Sequence, residues 1–346
     1  MEAMVLERHG GPEVLQRKTI TIDEPGARCV RVRIRAVAMN HMDLWVRRGL
    51  PNVKHEYPHR LGCDIVGEVE ALGADARRVG VGDRVMIQPG VSCGVCSACV
   101  RGQDNLCRQY RILGENTQGG YAQYINVPDA NLLPLPDGIN FIDAAALPLC
   151  TLTAWQAIYR KAKVRPEHTV LIQAAGSGVS SIAIQLCKLV GAKVITTVGS
   201  REKVDPARAL GADEVILYRE QDLATECRRI TERRGVDVIF DHVGGEVFEK
   251  SIRAVGWGGK IVTVGATAGF SPKIDLRHVF FRQIEILGST MGSKGDLAAA
   301  MPLIADGRIR PVVGQVFPLW EAGEAHKALE ARSVFGKVVL EVPQAG

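Results

Sequence analysis

From Thr169 to Val264 the chain alternates between short apolar runs and segments of helical period, with brief loops between them. Val170–Ala174, Lys193–Val198, Glu214–Leu217, Val236–Phe240 and Lys260–Val264 have strand length. Val179–Val190, Arg201–Leu210, Leu223–Glu232 and Val247–Val255 carry the helical pattern. Such alternation buries both kinds of apolar face only in a parallel sheet covered on each side, so the stretch predicts a doubly wound α/β domain. At 346 residues the chain has room for a second domain. Residues 1–130 read as that domain, rich in short strands and turn residues. Cys29–Ala38 alternates with Val30, Val32 and Ile34 inward, Ile65–Leu72 is a second strand, and Gly80-Val81-Gly82-Asp83 turns into Arg84–Gln88. Closely spaced strands with turn clusters predict a compact β-rich, barrel-like unit. Pro128, Pro134 and Pro136 punctuate the passage to a helical pattern that starts at Phe141. The strand–helix alternation breaks after about Ile286, and Phe335–Leu340 reads as a final strand returning to the β-rich unit.

Composition narrows the function classes. Hydrophobic residues at 46% and charged residues at 23% exclude a disordered, collagen-like or disulfide-scaffold chain. The excess of 43 Lys+Arg over 38 Asp+Glu is small and scattered. Arg31, Arg33 and Arg35 alternate with Val32 and Ile34, as on the solvent face of a strand, so no nucleic-acid partner is expected. Met1–Gly10 carries Glu2, Glu7 and Arg8 and lacks the apolar core of an export signal. No apolar stretch approaches the roughly 18 residues of a membrane span. A cytoplasmic protein acting on a small molecule is the expectation.

Three motifs carry chemistry. Cys93-x2-Cys96-x2-Cys99-x7-Cys107 places four thiols on one short loop, enough to close a tetrahedral shell around zinc with no open position, and Gly94 permits a tight turn beside the first ligand. Gly176-Ser177-Gly178-Val179 joins a strand to a helix, where bare backbone N–H groups can hold a pyrophosphate. An ideal Gly-x-Gly-x-x-Gly would have glycine in place of Ser181. At the end of the next strand an NAD enzyme would place a carboxylate for the adenosine ribose. The chain instead reads Val198-Gly199-Ser200-Arg201-Glu202-Lys203. Ser200, Arg201 and Lys203, with Tyr218, suit a 2′-phosphate and favour NADPH, while Glu202 keeps NADH open.

With these motifs in hand, the chain resembles the zinc-binding medium-chain dehydrogenase/reductase superfamily essentially end to end. The resemblance rests on Gly62-x-Asp64-x3-Gly67, Gly82-Asp83-Arg84-Val85, the four-cysteine lobe, Thr153-Ala154-Trp155 and the Gly176-x-Gly178 loop. Ala209-Leu210-Gly211-Ala212-Asp213, Asp241-x-Val243-Gly244-Gly245, Leu287-Gly288-Ser289 and Gly336-Lys337-Val338 extend it. It implies a GroES-like catalytic domain (residues 1–150, zinc lobe at 90–108, with 288–346 returning to it) around a Rossmann domain (151–287). It also implies an active site in the cleft between them, hydride transfer with a nicotinamide cofactor, and a homodimer or homotetramer with a dimer edge in Gly265–Gln283. Thr153, Val243 and Gly265 are its further cofactor contacts, and Lys337 is a weaker phosphate candidate, otherwise a surface lysine.

The alcohol dehydrogenases of this superfamily bind a catalytic zinc through Cys, a Gly-His-Glu segment and a second Cys. Here Asn40, the pair Cys63-Asp64, and Leu149 stand in those places, with Cys150 one position off. An amide is a poor zinc donor. Asn40-x2-Asp43-x3-Arg47-x-Gly49 resembles instead the quinone oxidoreductase branch, which reduces activated C=C bonds without catalytic metal, with relatives among enoyl-thioester reductases. The expectation is an NADPH-dependent reductase of an enone, enal, enoyl thioester or quinone with one structural zinc. Asn40 and His41 are its hydrogen-bond donors and Cys63 and Asp64 its remaining site candidates, with the proton donor open between water and Tyr57. A zinc-dependent alcohol dehydrogenase using Cys63 and Asp64, and a non-catalytic nucleotide-binding protein, are the competing readings.

Overall fold

The computed structural model describes residues 1–50 and 53–344. The chain forms two compact units: Met1–Leu149 with Ser293–Ala305 and Pro311–Gly346, and Cys150–Gly292 with Asp306–Arg310.

The first unit is built on a seven-stranded sheet. Its central strand, Cys29–Ala38, pairs antiparallel with Asp64–Leu72, Tyr124–Pro128 and the last strand, Lys337–Glu341. The period-2 pattern explains this position. Val30, Val32 and Ile34 are fully buried, while Arg33 and Arg35 reach out to share Glu68 at 2.7 Å each. The C-terminal strand returns as the sequence predicts, with Val339 opposite Ala38. Two glycines of the Gly62-x-Asp64-x3-Gly67 motif have steric causes. Gly62 sits at φ +89°, where a Cβ would lie 2.5 Å from the Tyr121 ring, and a Cβ on Gly67 would lie 2.1 Å from the Arg33 carbonyl oxygen.

The second unit holds a six-stranded parallel sheet in the order Glu214–Leu217, Lys193–Val198, Thr169–Ile172, Val236–Asp241, Val255–Thr263, Glu285–Gly288. Strand order reverses between Thr169–Ile172 and Val236–Asp241, which opens a crevice at their C-terminal ends. The structure differs from the sequence reading in three places. Arg201–Leu210 is a 3-10 turn, Arg201–Lys203, followed by a helix, Val204–Ala209, whose first turn accommodates Pro206. The fifth strand starts at Val255, ahead of the apolar run, because Gly258 and Gly259 mask its signal. The sixth strand, Glu285–Gly288, lies where the alternation had faded. It is a short edge strand with three of its four residues exposed, so it lacks the apolar run that marks its buried neighbours. Around it Trp257, Phe270, Phe280 and Phe281 are exposed. Among the described residues no helix is long and apolar enough to cross a membrane.

Candidate functional sites

The four cysteines come together on a lobe of the first unit closed by the strand pair Gly90–Val91 and Arg111–Ile112. Cys96 precedes the short helix Ser97–Val100, Cys99 lies on it, and Cys107 follows the 3-10 turn Asp104–Leu106. Gly94, at φ +76°, makes the turn after Cys93. All four Sγ atoms lie within 4.8 Å of one another, with Cys93–Cys99 at 3.9 Å, Cys96–Cys99 at 3.6 Å and Cys93–Cys107 at 3.6 Å. Four thiolates about 2.3 Å from a tetrahedral zinc stand about 3.8 Å apart, so the set fits that ion as it is. The Val95 and Cys96 N–H groups hold the Cys93 thiol down at about 6, favouring the thiolate that zinc needs. The lobe buries little: Val95, Val100 and Leu106 are exposed. Asp104 ties it to the helix Lys294–Ala305 by accepting the Lys294 N–H at 2.9 Å and pairing with its ammonium at 3.1 Å.

A second cluster forms elsewhere in the first unit. Asn40 precedes the helix His41–Arg48, Cys63 and Asp64 lie at the head of the strand Asp64–Leu72, and Lys337 opens the last strand. The Lys337 ammonium donates to Asn40 Oδ1 at 2.7 Å and Asp64 Oδ2 at 2.8 Å. An ammonium only donates, so the Asn40 oxygen must face it. The Asn40 nitrogen therefore donates to Cys63 Sγ at 3.3 Å and Asp64 Oδ2 at 2.9 Å. Asp64 Oδ1 accepts the Leu149 N–H at 2.6 Å. This corrects two expectations. Lys337 is no surface lysine: it is 5% exposed, because it enters the sheet beside its central strand, where Asp64 compensates its charge. Asn40 has both N–H donors in use and offers none to a substrate.

The positions where alcohol dehydrogenases bring catalytic ligands thus hold an amide with its N–H groups turned inward, a buried thiol beside a carboxylate paired with Lys337, and a leucine. Among the described residues the four cysteines form the only group of three or more candidate metal ligands. Cys150, buried, belongs to the second unit. His41 is half-buried at the first helical position. Asp43 and Arg47 of the same segment are supports. Asp43 accepts the Asn40 and Gly62 N–H groups at 2.7 and 2.9 Å, and burial raises its carboxyl to about 6. Arg47 donates to His326 Nδ1 at 2.9 Å, which leaves His326 Nε2–H to face the Tyr121 hydroxyl at 3.2 Å. Burial and the Arg47 charge lower His326 to about 3. No spacing in the sequence marks this arrangement, since His326 lies 279 residues from Arg47.

In the second unit the expected nucleotide residues gather at the C-terminal edge of the sheet. Gly176 and Ser177 follow the strand Thr169–Ile172, and Gly178 and Val179 begin the helix Gly178–Val190. Ser177 caps that helix without a side-chain bond, leaving its first N–H groups available to an anion. In place of a third glycine, Ser181 turns its hydroxyl back to the Gly178 carbonyl at 2.8 Å. Ala174 takes the left-handed conformation at φ +53°. Val243 follows the strand across the crevice, its N–H held by Asp241 Oδ1 at 2.7 Å, and Gly265 follows the next one. Ser180, the residue after Val179 in the same strand-to-helix motif, donates to the Gln173 carbonyl at 2.7 Å and meets His242 Nε2 at 3.0 Å, linking the two crevice loops. At the neighbouring strand end Arg201 is 80% exposed and pairs with Glu220 at 3.0 Å, and Ser200 bonds to Glu202. Lys203 sits at the end of the same turn. Tyr218 reaches over Gly199, where a Cβ would lie 2.7 Å from its hydroxyl. Thr153 is buried on the helix Pro148–Trp155.

Comparison with known proteins agrees along the whole chain. Residues 26–137 match the alcohol dehydrogenase GroES-like domain, and residues 178–306 match the zinc-binding dehydrogenase family. The crystal structure of an NAD-dependent alcohol dehydrogenase superposes with a TM-score of 0.96 at 49% identity, covering 99% of this chain and 100% of that one. The NAD-dependent alcohol dehydrogenase of Saccharolobus solfataricus is 32% identical over 98% of this chain and 99% of its own length. The quinone oxidoreductase of Pseudomonas aeruginosa is 33% identical over 96% and 97% respectively.

Proposed function

Because the chain belongs to the zinc-binding medium-chain dehydrogenase/reductase superfamily, and is therefore a pyridine-nucleotide oxidoreductase, we propose that it reduces an activated alkene or quinone with NADPH and without a catalytic metal. One observation carries this reading: the Lys337 ammonium, Asn40 and Asp64 satisfy one another at 2.7–2.9 Å where a catalytic zinc would need open donors. A cation placed there would displace a buried ammonium and face the Asn40 N–H groups, with only Cys63 and Asp64 as anionic donors. Reduced nicotinamide dinucleotide, held at the Gly176–Val179 loop, would supply a hydride to the β-carbon of an enone, enal or enoyl thioester, or to a quinone. The negative charge then gathers on the carbonyl oxygen and calls for a hydrogen-bond donor. We assign that role to His41, since Asn40 is engaged, and the α-carbon takes its proton from water.

NADPH is favoured by the absence of an acid at the strand end Val198-Gly199-Ser200 and by the exposure of Arg201. A pair as exposed as Arg201–Glu220 is screened by solvent and weakly held, so a 2′-phosphate can replace the carboxylate at little cost. Lys203 and Tyr218 flank the same strand end. Two of the relatives above carry the name NAD-dependent alcohol dehydrogenase, and the test is built to separate that chemistry from this one.

Zinc per subunit, measured by elemental analysis on protein purified without added metal, should be one. Chelator-treated protein that keeps its lobe zinc should reduce enones or quinones and leave simple alcohols unoxidised. Two zincs, with chelator-sensitive alcohol oxidation, would overturn the proposal. Arg201→Asp should move the preference toward NADH, read as the ratio of kcat/KM for the two cofactors; an unmoved ratio removes Arg201 from phosphate recognition.

A further inference from the structure

Arg60 lies in the first unit and belongs to neither ligand cluster. It is 9% exposed, and burial is the cause that lowers its guanidinium to about 10, with no carboxylate acting on it. Its Nε is buried with no hydrogen-bond partner. The backbone on either side is pinned: the Arg60 N–H donates to Gln118 Oε1 at 2.9 Å, and its carbonyl accepts the Gly119 N–H at 2.9 Å. Arg60 lines a cavity of about 360 Å³ together with Ile22, Val91 and Pro128, with Asp23, Gln118 and Asn126 among its polar lining.

Burying an ionised group with no carboxylate in contact is unfavourable, and an arginine does not escape that by losing its proton. The planar guanidinium fork matches a carboxylate in two parallel hydrogen bonds. The cavity volume falls in the range of about 300–1,000 Å³ found for small-molecule sites. The remaining lining sets the rest of the ligand. Ile22, Val91 and Pro128, the half-buried apolar residues of the lining, ask for an apolar body, and Asp23 disfavours a second negative charge. We propose that this cavity binds a small monocarboxylate with a compact apolar body, its carboxylate on Arg60 and its body against Ile22, Val91 and Pro128.

Benzoate is a suitable probe, titrated as its sodium salt into the full-length protein with calorimetry and thermal unfolding as readouts. A saturable rise in Tm and one site per subunit are expected, with no response to benzyl alcohol, which keeps the ring and lacks the charge. Arg60→Met should weaken benzoate binding by about tenfold or more, the worth of a hydrogen bond to a charged group. In benzoate-free buffer it should unfold no lower than wild type, since it removes an uncompensated charge. No saturable response to benzoate overturns the proposal, as does equal affinity in Arg60→Met. Inorganic phosphate displacing benzoate at equal concentration overturns the choice of a monocarboxylate. Should Arg60→Met fail to accumulate, Arg60→Lys reads the same question: it keeps the charge and loses the fork, so weaker binding is expected and unchanged affinity refutes the role of Arg60.

Discussion

The first unit contains two places where metal-binding residue types converge, and they reach opposite ends. In the cysteine lobe the partners of the four thiols are one another and backbone N–H groups, with Sγ separations of 3.6–3.9 Å. Around Asp64 the charge is already answered from within the chain, by the Lys337 ammonium and two N–H groups. Proximity of potential ligands is therefore a weak criterion. What separates the two is whether each donor atom still has a lone pair facing the common centre.

Predictions that press on this contrast start with the lobe, where the largest effect is expected. The lobe has few buried side chains, so its folding depends on the metal. Cys107→Ala should release the zinc and lower Tm by an amount corresponding to several kcal/mol, with zinc content and calorimetry as the measurements. Retained zinc would dissolve the contrast from the side of the lobe.

The Asp64 cluster comes next. Lys337→Met leaves a fully buried carboxylate without its partner, which costs about 3–5 kcal/mol. The double variant Lys337→Met/Asp64→Asn should recover most of that loss, because the pair and not either charge is what the fold tolerates. Denaturant unfolding of the three proteins reads the coupling, and additive losses would mean that the two residues act independently.

The smallest effect concerns pH and a third buried polar group, one held neutral. His326, lowered to about 3 in the folded state, takes up a proton near pH 6.5 once unfolded. Between those values the unfolded chain binds more protons, so stability falls as pH falls. From pH 7 to pH 5 the loss is about 2 kcal/mol. His326→Gln, which can still accept from Arg47 and donate to Tyr121, should flatten that slope in pH-dependent unfolding. An unchanged slope would place the acid sensitivity in other groups, such as His59, which burial holds at about 4.

Legibility in the sequence followed the range of the interaction. The strand Cys29–Ala38 and the strands of the parallel sheet were readable because period and apolar runs are local properties of ten residues or fewer. The four cysteines were readable for the same reason: their ligand geometry is a matter of spacing within one loop. The short edge strand Glu285–Gly288, mostly exposed, carried no such pattern. Lys337 was misplaced because its partner Asp64 lies 273 residues away, and nothing near Gly336-Lys337-Val338 announces a buried cation. Asn40's role as a spacer holding Lys337, Cys63 and Asp64 together required the closed sheet.

The order of residues alone settled two matters: a parallel α/β unit with a glycine-bearing strand-to-helix loop, and a four-thiol lobe. Both rest on contacts between near neighbours in the chain. The state of the Asn40, Cys63 and Asp64 positions was decided only when the C-terminal strand paired with Cys29–Ala38 and brought Lys337 to them. A buried charge is tolerated according to what surrounds it in space, and that surrounding is assembled from residues the sequence keeps far apart.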